Sequence, residues 1–265
     1  MSMPFYVSPE QIIKDKADFA RKGIARGRSV VVMEYDAGIL LVAVNPSRAL
    51  HKISEIYDRI AFAAVGKYNE FESLRVAGIR LADMRGFSYD RSDVSARSLA
   101  NAYATTLGTI FTETQKPYEV EIVVAEVADT RDGDQLYRLS FDGSVADEKG
   151  FVAMGGSADE LSELIREQWR QGLDLAEALA IAVQGLGRSG PDETRLTADQ
   201  LEVAVLDRTR PRRKFRRVTG AALQQLMPRD SDQADPDQAD PDQADPGQGD
   251  PRESDPEEPA PDVGG

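Results

Sequence analysis

The apolar positions of the chain change period several times, and each change marks an element. Ile12, Ile13, Lys16, Phe19, Ala20 and Ile24 share a face at helical spacing. Ser8 stands before them as an N-cap, Pro9 takes the first helical position and Gln11 completes a capping box, while Gly23 and Gly27 close the helix. The pattern then becomes extended. SVVVMEY, the turn Asp36-Ala37-Gly38 and ILLVAV read as a hairpin, and Asn45-Pro46-Ser47 breaks the chain. A second strand pair follows, over Lys52–Ile56 and Arg59–Val65. Helical stripes return with Phe71, Leu74, Gly78 and Leu81, then with Leu99, Tyr103, Thr106, Leu107 and Ile110. YEVEIVVAEVA and QLYRLSF flank the polar turn Thr130–Asp134; Asp142-Gly143 turns again, and FVAMGG is a short strand. A capping box at Ser157–Glu160 opens a helix carrying Leu161, Leu164 and Ile165. The next carries Leu175, Ala178, Leu179, Ala182 and Val183 and ends at Gly185 and Gly187. LEVAVLD, KFRRV and the short helix TGAALQQLM close the patterned region.

The order is helix, four strands, two helices, about four strands, two helices, two strands, helix. Strands that arrive as adjacent hairpins pair antiparallel. The absence of alternating βαβ units argues against Rossmann and TIM architectures. Two sheets packed together, with helix pairs on their outer faces, is the α+β arrangement that fits.

Charge changes the picture at one end. The 265 residues carry a net charge of −14, but residues 229–265 hold 13 acidic and 2 basic side chains, so residues 1–228 are near balance. The terminal segment repeats DQADP three times over residues 232–246 and has no aromatic residue. Such a segment buries too little apolar surface to offset the entropy of ordering it, so a body of 1–228 and a disordered acidic tail of 229–265 are expected. There is no cysteine and a single histidine, His51, which excludes a disulfide framework, a thiolate site and a histidine-rich metal site. No metal or cofactor is expected. The N-terminus lacks the apolar run of a signal peptide, and no stretch approaches a membrane span, so the reading is a cytoplasmic protein that binds no membrane.

Four stretches carry a resemblance: SPEQIIKDKADFARKGIARGRS, NPSRALHKISEIYDRIAFAAVGKYNEFE, LANAYATTLGTIFTETQKPYEVEIVVAEV and RPRRKFRRVTGAALQQL. In this order, from about residue 5 to residue 227, the chain resembles the α-type subunits of actinobacterial 20S proteasomes. The resemblance implies a four-layer αββα sandwich of the Ntn-hydrolase type. It implies a non-catalytic subunit that forms seven-membered rings, templates and caps rings of a catalytic β subunit, and gates entry to the proteolytic chamber. It further implies a hexameric ATPase that docks through its C-terminal tails and delivers proteins tagged with the prokaryotic ubiquitin-like modifier. The acidic tail lies outside the resemblance.

The residues themselves bear on this. A β-type subunit uses an N-terminal Thr whose own amine is the base. Here a capped helix precedes the first strand, and the junction reads Arg26-Gly27-Arg28-Ser29 with no Thr to expose. No catalytic residue is expected; the alternative is an autonomous Ntn-type hydrolase that uses a processed Ser29. His51 would be needed for any Ser-His-Asp triad, and no Ser stands in a G-x-S-x-G elbow; the favoured reading of His51 is structural. By the resemblance, Lys52 pairs with the C-terminal carboxylate of the activator tail in a pocket between neighbouring subunits. Arg26 adds positive potential there, and the backbone at Gly66 and Lys67, where a helix starts, suits an anion. By the resemblance, Phe5, Tyr6, Val7 and Ser8 belong to a gate segment of residues 1–8, with Pro9 as its pivot, where the residues alone would read as a frayed terminus. The basic run Arg208–Arg217 is read as a solvated edge strand rather than a nucleic-acid site, and Trp169 as packing at the end of its helix.

Overall fold

A computed structural model describes residues 8–189 and 195–228. The chain divides into two units between Pro228 and Arg229, and the description below is of the first. The helix α1 (Pro9–Ala25) leads into two hairpins, β1 (Val30–Tyr35) with β2 (Gly38–Val44) and β3 (Ile53–Tyr57) with β4 (Ile60–Gly66). The helices α2 (Tyr68–Ser88) and α3 (Ala96–Glu113) follow, then β5 (Val120–Glu126), β6 (Gln135–Leu139), β7 (Val145–Glu148) and β8 (Phe151–Met154). After α4 (Ala158–Gln168) and α5 (Leu175–Arg188) come β9 (Leu201–Asp207), β10 (Phe215–Val218) and α6 (Gly220–Leu226).

The strands form two five-stranded antiparallel sheets, in the orders β10-β9-β2-β1-β8 and β3-β4-β5-β6-β7. Both are buried on two faces, which is why β2, β4, β5 and β9 read as near-continuous apolar runs. Three packed layers of side chains result. Val32, Leu41, Ile53, Val65, Val123 and Leu206 fill the space between the sheets. Leu161, Ile165, Leu179 and Leu186 of α4 and α5 cover the first sheet from outside. Phe71 and Leu74 of α2 and Leu99 and Leu107 of α3 cover the second. The expected α+β sandwich of four layers, αββα, is the observed one. No described helix is long and apolar enough to cross a membrane.

Several local expectations change. Ser8 Oγ accepts from the Gln11 amide at 3.2 Å, but the Gln11 side chain donates to Asp15, so the box is only half made. The helix α1 runs through Gly23 to Ala25 because Gly23 sits against Glu119: a Cβ there would stand 2.1 Å from the carboxylate. Of the predicted face only Ala20 and Ile24 are buried; Ile12, Ile13 and Phe19 stay exposed, Ile13 by 56%. Ser157 makes no side-chain cap bond to α4, whereas Asp174 and Glu177 form a full capping box on α5. Gly185 and Gly187 lie inside α5 rather than beyond its end. Trp169 caps α4, stacks obliquely on Phe151 and donates its indole N–H to the Glu34 carbonyl.

The basic run is not a solvated strand. Although β10 is an edge, its flanking arginines cross to the other sheet. Arg208 grips Asp134, whose side chain is 0% exposed, at 2.7 and 3.0 Å. Arg213 pairs with Glu55, and the buried Lys214 donates from its backbone to the Asp58 carbonyl at 2.7 Å. The run ties the two sheets together at the end where β1 turns into β2.

Candidate functional site at the strand entrances

At the opposite end β1, β3, β5 and β9 begin and β2, β4 and β8 finish, as the pairings Val30–Met154, Val44–Leu201 and Gly66–Val120 require. This end holds Arg26, Lys52, Gly66 and Lys67. Lys52 precedes β3. Its amide donates to Glu202 Oε2 at 2.8 Å and its carbonyl accepts from the Ala64 amide at 3.0 Å. With the backbone held on both sides, the side chain reaches across to the Arg28 carbonyl, Nζ to O 2.7 Å. Burial, and then the Arg28 charge, pull the Lys52 ammonium down to about 8, while Glu202 pushes it back up.

Gly66 has a φ of +104°, and a Cβ there would fall 1.9 Å from the Glu119 carbonyl oxygen, so no other residue fits without moving β5. It also lies against Gly27, where a Cβ would come within 3.2 Å of the Gly66 nitrogen. The backbone after α1 and the end of β4 are thus in contact. Lys67 is the N-cap of α2, and its amide donates to the Glu119 carbonyl at 2.9 Å. Its ammonium leans toward the buried Glu70, 3.8 Å away, which also takes Lys116 Nζ at 2.6 Å. Lys52 and Gly66 therefore converge on the backbone at residues 27–28, whereas Lys67 turns toward Glu70. Arg26 is exposed and lines a cavity of about 460 Å³ with Arg28, Ser29, Ser157, Leu186 and Gln200. Ser8 and Pro9 hold the start of α1; Phe5, Tyr6 and Val7 lie outside the described residues.

The helix α1 lies over this end of the inter-sheet space. Ala20 and Ile24 enter the same apolar layer as Val30, Val65 and Met154. Lys16 fastens the helix to the end of α3, donating to the carbonyls of Phe111 and Thr114 at 3.1 and 2.7 Å. Ser29 follows immediately, its nitrogen bound in the peptide with Arg28 and its carbonyl accepting from the Val44 amide. His51 turns toward Glu202, 3.1 Å away, and not toward a serine. Among the described residues no cluster of three or more His, Asp or Glu could hold a metal.

A family model for proteasome subunits matches residues 24–206. The chain belongs to the proteasome subunit family. Among curated relatives, the proteasome subunit alpha of Xylanimonas cellulosilytica is 69% identical over 231 residues, covering 84% of this chain and 95% of the relative. That of Kineococcus radiotolerans is 66% identical over 233 residues, covering 86% and 98%, and that of Thermobifida fusca 63% over 227, covering 86% and 91%. All three are α type, and this chain is a non-catalytic α-type member of the family. The geometry suits that: α1 packs beside the head of β1, where Ala20 and Ile24 share an apolar layer with Val30.

One residue of the site is missing from the sequence reading. Glu202 is buried on β9 with its side chain 7% exposed, and its carboxylate gathers Asn45, His51, Lys52, Ile53 and Arg217. The signal was present in LEVAVLD: one carboxylate inside an otherwise apolar run has to be paid for by partners at both oxygens.

Proposed function

We propose that this chain, with six further copies of itself, forms the outer ring of a proteasome core, templates a ring of β subunits and gates entry to the chamber they enclose. The threonine-type endopeptidase activity belongs to the β partner. A hexameric ATPase docks by its C-terminal tails, with the tail carboxylate received at Lys52 and the Arg26 and Gly66 backbone region beside it. That ATPase delivers proteins carrying the prokaryotic ubiquitin-like modifier, in the cytoplasm. Residues Phe5 to Ser8 act as the gate and Pro9 as its pivot; the body is residues 1–228, and the tail 229–265 is a spacer.

The observation that carries this reading is α1, whose Ala20 and Ile24 pack beside Val30 at the head of β1, with the Arg28 carbonyl just beyond the helix bonded to Lys52. A second support is apolar surface left outside the folded chain: Ile12, Ile13 and Phe19 on α1, and Met84, Phe87 and Tyr89 at the end of α2, with Phe87 92% exposed. Patches of this kind fit subunit contacts, and a ring closes when such contacts are heterologous and repeat by rotation. Two changes in the assembled particle test the reading. Deleting residues 2–8 raises peptide hydrolysis without activator; unchanged rates would remove the gate. Lys52→Ala removes the stimulation that the ATPase gives; retained stimulation would move docking elsewhere.

A further inference from the structure

The loop from Asn45 to Ile53 contains no regular structure before β3, yet it is held closely. Ser47 donates its amide to Asn45 Oδ1 at 3.1 Å, Leu50 donates its amide to Ser47 Oγ at 3.1 Å, and Asn45 Nδ2 donates to the Leu50 carbonyl at 2.7 Å. Those bonds close the loop on itself without aiming it. Glu202 supplies the aim. One of its oxygens accepts from Asn45 Nδ2 and from the Lys52 amide, both at 2.8 Å, at the two ends of the loop. The other accepts from Arg217 at 2.7 Å and from the Ile53 amide at 3.3 Å, and faces His51 Nδ1 at 3.1 Å. Arg217 also donates to the Ile53 carbonyl at 2.7 Å, so the carboxylate and its guanidinium together clamp the first residue of β3.

We infer that Glu202 is a positioning residue for activator docking: it holds the backbone of Lys52 so that the side chain reaches the Arg28 carbonyl. This deepens the proposed docking role of Lys52 and rests on it. The charges around Lys52 are few. Arg28 opposes the ammonium from the α1 side and Glu202 favours it from β9; His51 and Arg217 reach the site only through Glu202. Of the groups acting on Lys52, Glu202 is the one that favours its protonated form. A buried carboxylate that both orients a chain and biases a neighbour's proton acts through position and charge together.

Glu202→Gln keeps the size and one accepting oxygen but removes the charge and half of the clamp, so the two roles separate only against a second variant that disturbs the clamp alone. In the full chain, the acylation of Lys52 by acetic anhydride, followed by mass spectrometry across pH, reads the fraction of free amine directly. The midpoint should fall in Glu202→Gln, and in the assembled particle the alkaline loss of ATPase stimulation, taken as a ratio to the same particle alone, should move down with it. Arg217→Gln is the control for disturbed packing, because it breaks the clamp and leaves the carboxylate charge; its midpoint should not fall. An unchanged Lys52 midpoint in a Glu202→Gln chain that melts as a folded protein would overturn the inference, as would an equal fall in Arg217→Gln. If the midpoint falls but Lys52→Ala retains full stimulation, the docking role of Lys52 fails instead, and with it the place of Glu202 in docking.

Discussion

At the scale of single residues, Lys52 carries the charge that the docking proposal needs. Burial and Arg28 both oppose its charge, so it gives up its proton near pH 8 rather than near the ordinary 10.5. The ammonium is present below that pH and lost above it. ATPase stimulation should therefore be full below about pH 8 and decline through it, measured as the ratio of stimulated to basal peptide hydrolysis; stimulation that persists unchanged well above it would contradict the assignment. Unfolding by this group does not explain such a decline. Its folded value lies below its unfolded one, so between the two the unfolded chain binds more protons, and the contribution to stability rises with pH. Lys52 itself was legible in the sequence only through the resemblance, since a lone lysine before a strand carries no local signal. Glu202 was legible in principle and Arg28 was not, because what Arg28 offers is a backbone carbonyl and a charge that only the fold brings across.

At the scale of elements, the strands were read most securely and the helix ends least. Strands buried on both faces leave long apolar runs that turn residues interrupt, and these survive in sequence. Helix ends depend on what the glycines touch. Gly23 and Gly185 look like stops in sequence and are close-approach positions in the fold, against Glu119 and Leu161. Gly23→Ala tests this. Ala favours a helix over Gly by about 1 kcal/mol at an exposed interior site, so a helical position with free space would be stabilised. Here the added methyl meets the Glu119 side chain, which Lys116 holds at 3.0 Å, so making room costs that ion pair. A lowered melting temperature is expected; a raised one would mean that Glu119 swings aside freely. The face of α1 misread for a related reason. Its buried side is short, Ala20 and Ile24 with Ala17 beside them, and Ile12, Ile13 and Phe19 stay exposed.

At the scale of the whole molecule, the two sheets are joined by apolar packing between them and by basic side chains at both ends. The run Arg208–Arg217 looked solvated in sequence because its carboxylate partners, Asp134, Glu55 and Glu202, are 74, 158 and 15 residues away. At the end where β1 begins, α1 takes the inter-sheet space, and the backbone after it meets Lys52 and Gly66. An end closed by a helix and carrying a half-buried lysine suits reception of a partner better than turnover of a substrate. The central claim is that this chain forms the outer ring of a proteolytic particle. Electron microscopy of the chain co-expressed with a β-type subunit tests it most directly. The account predicts stacked seven-fold rings with this chain in the two outermost; single chains, or this chain in the inner rings beside the chamber, would contradict it.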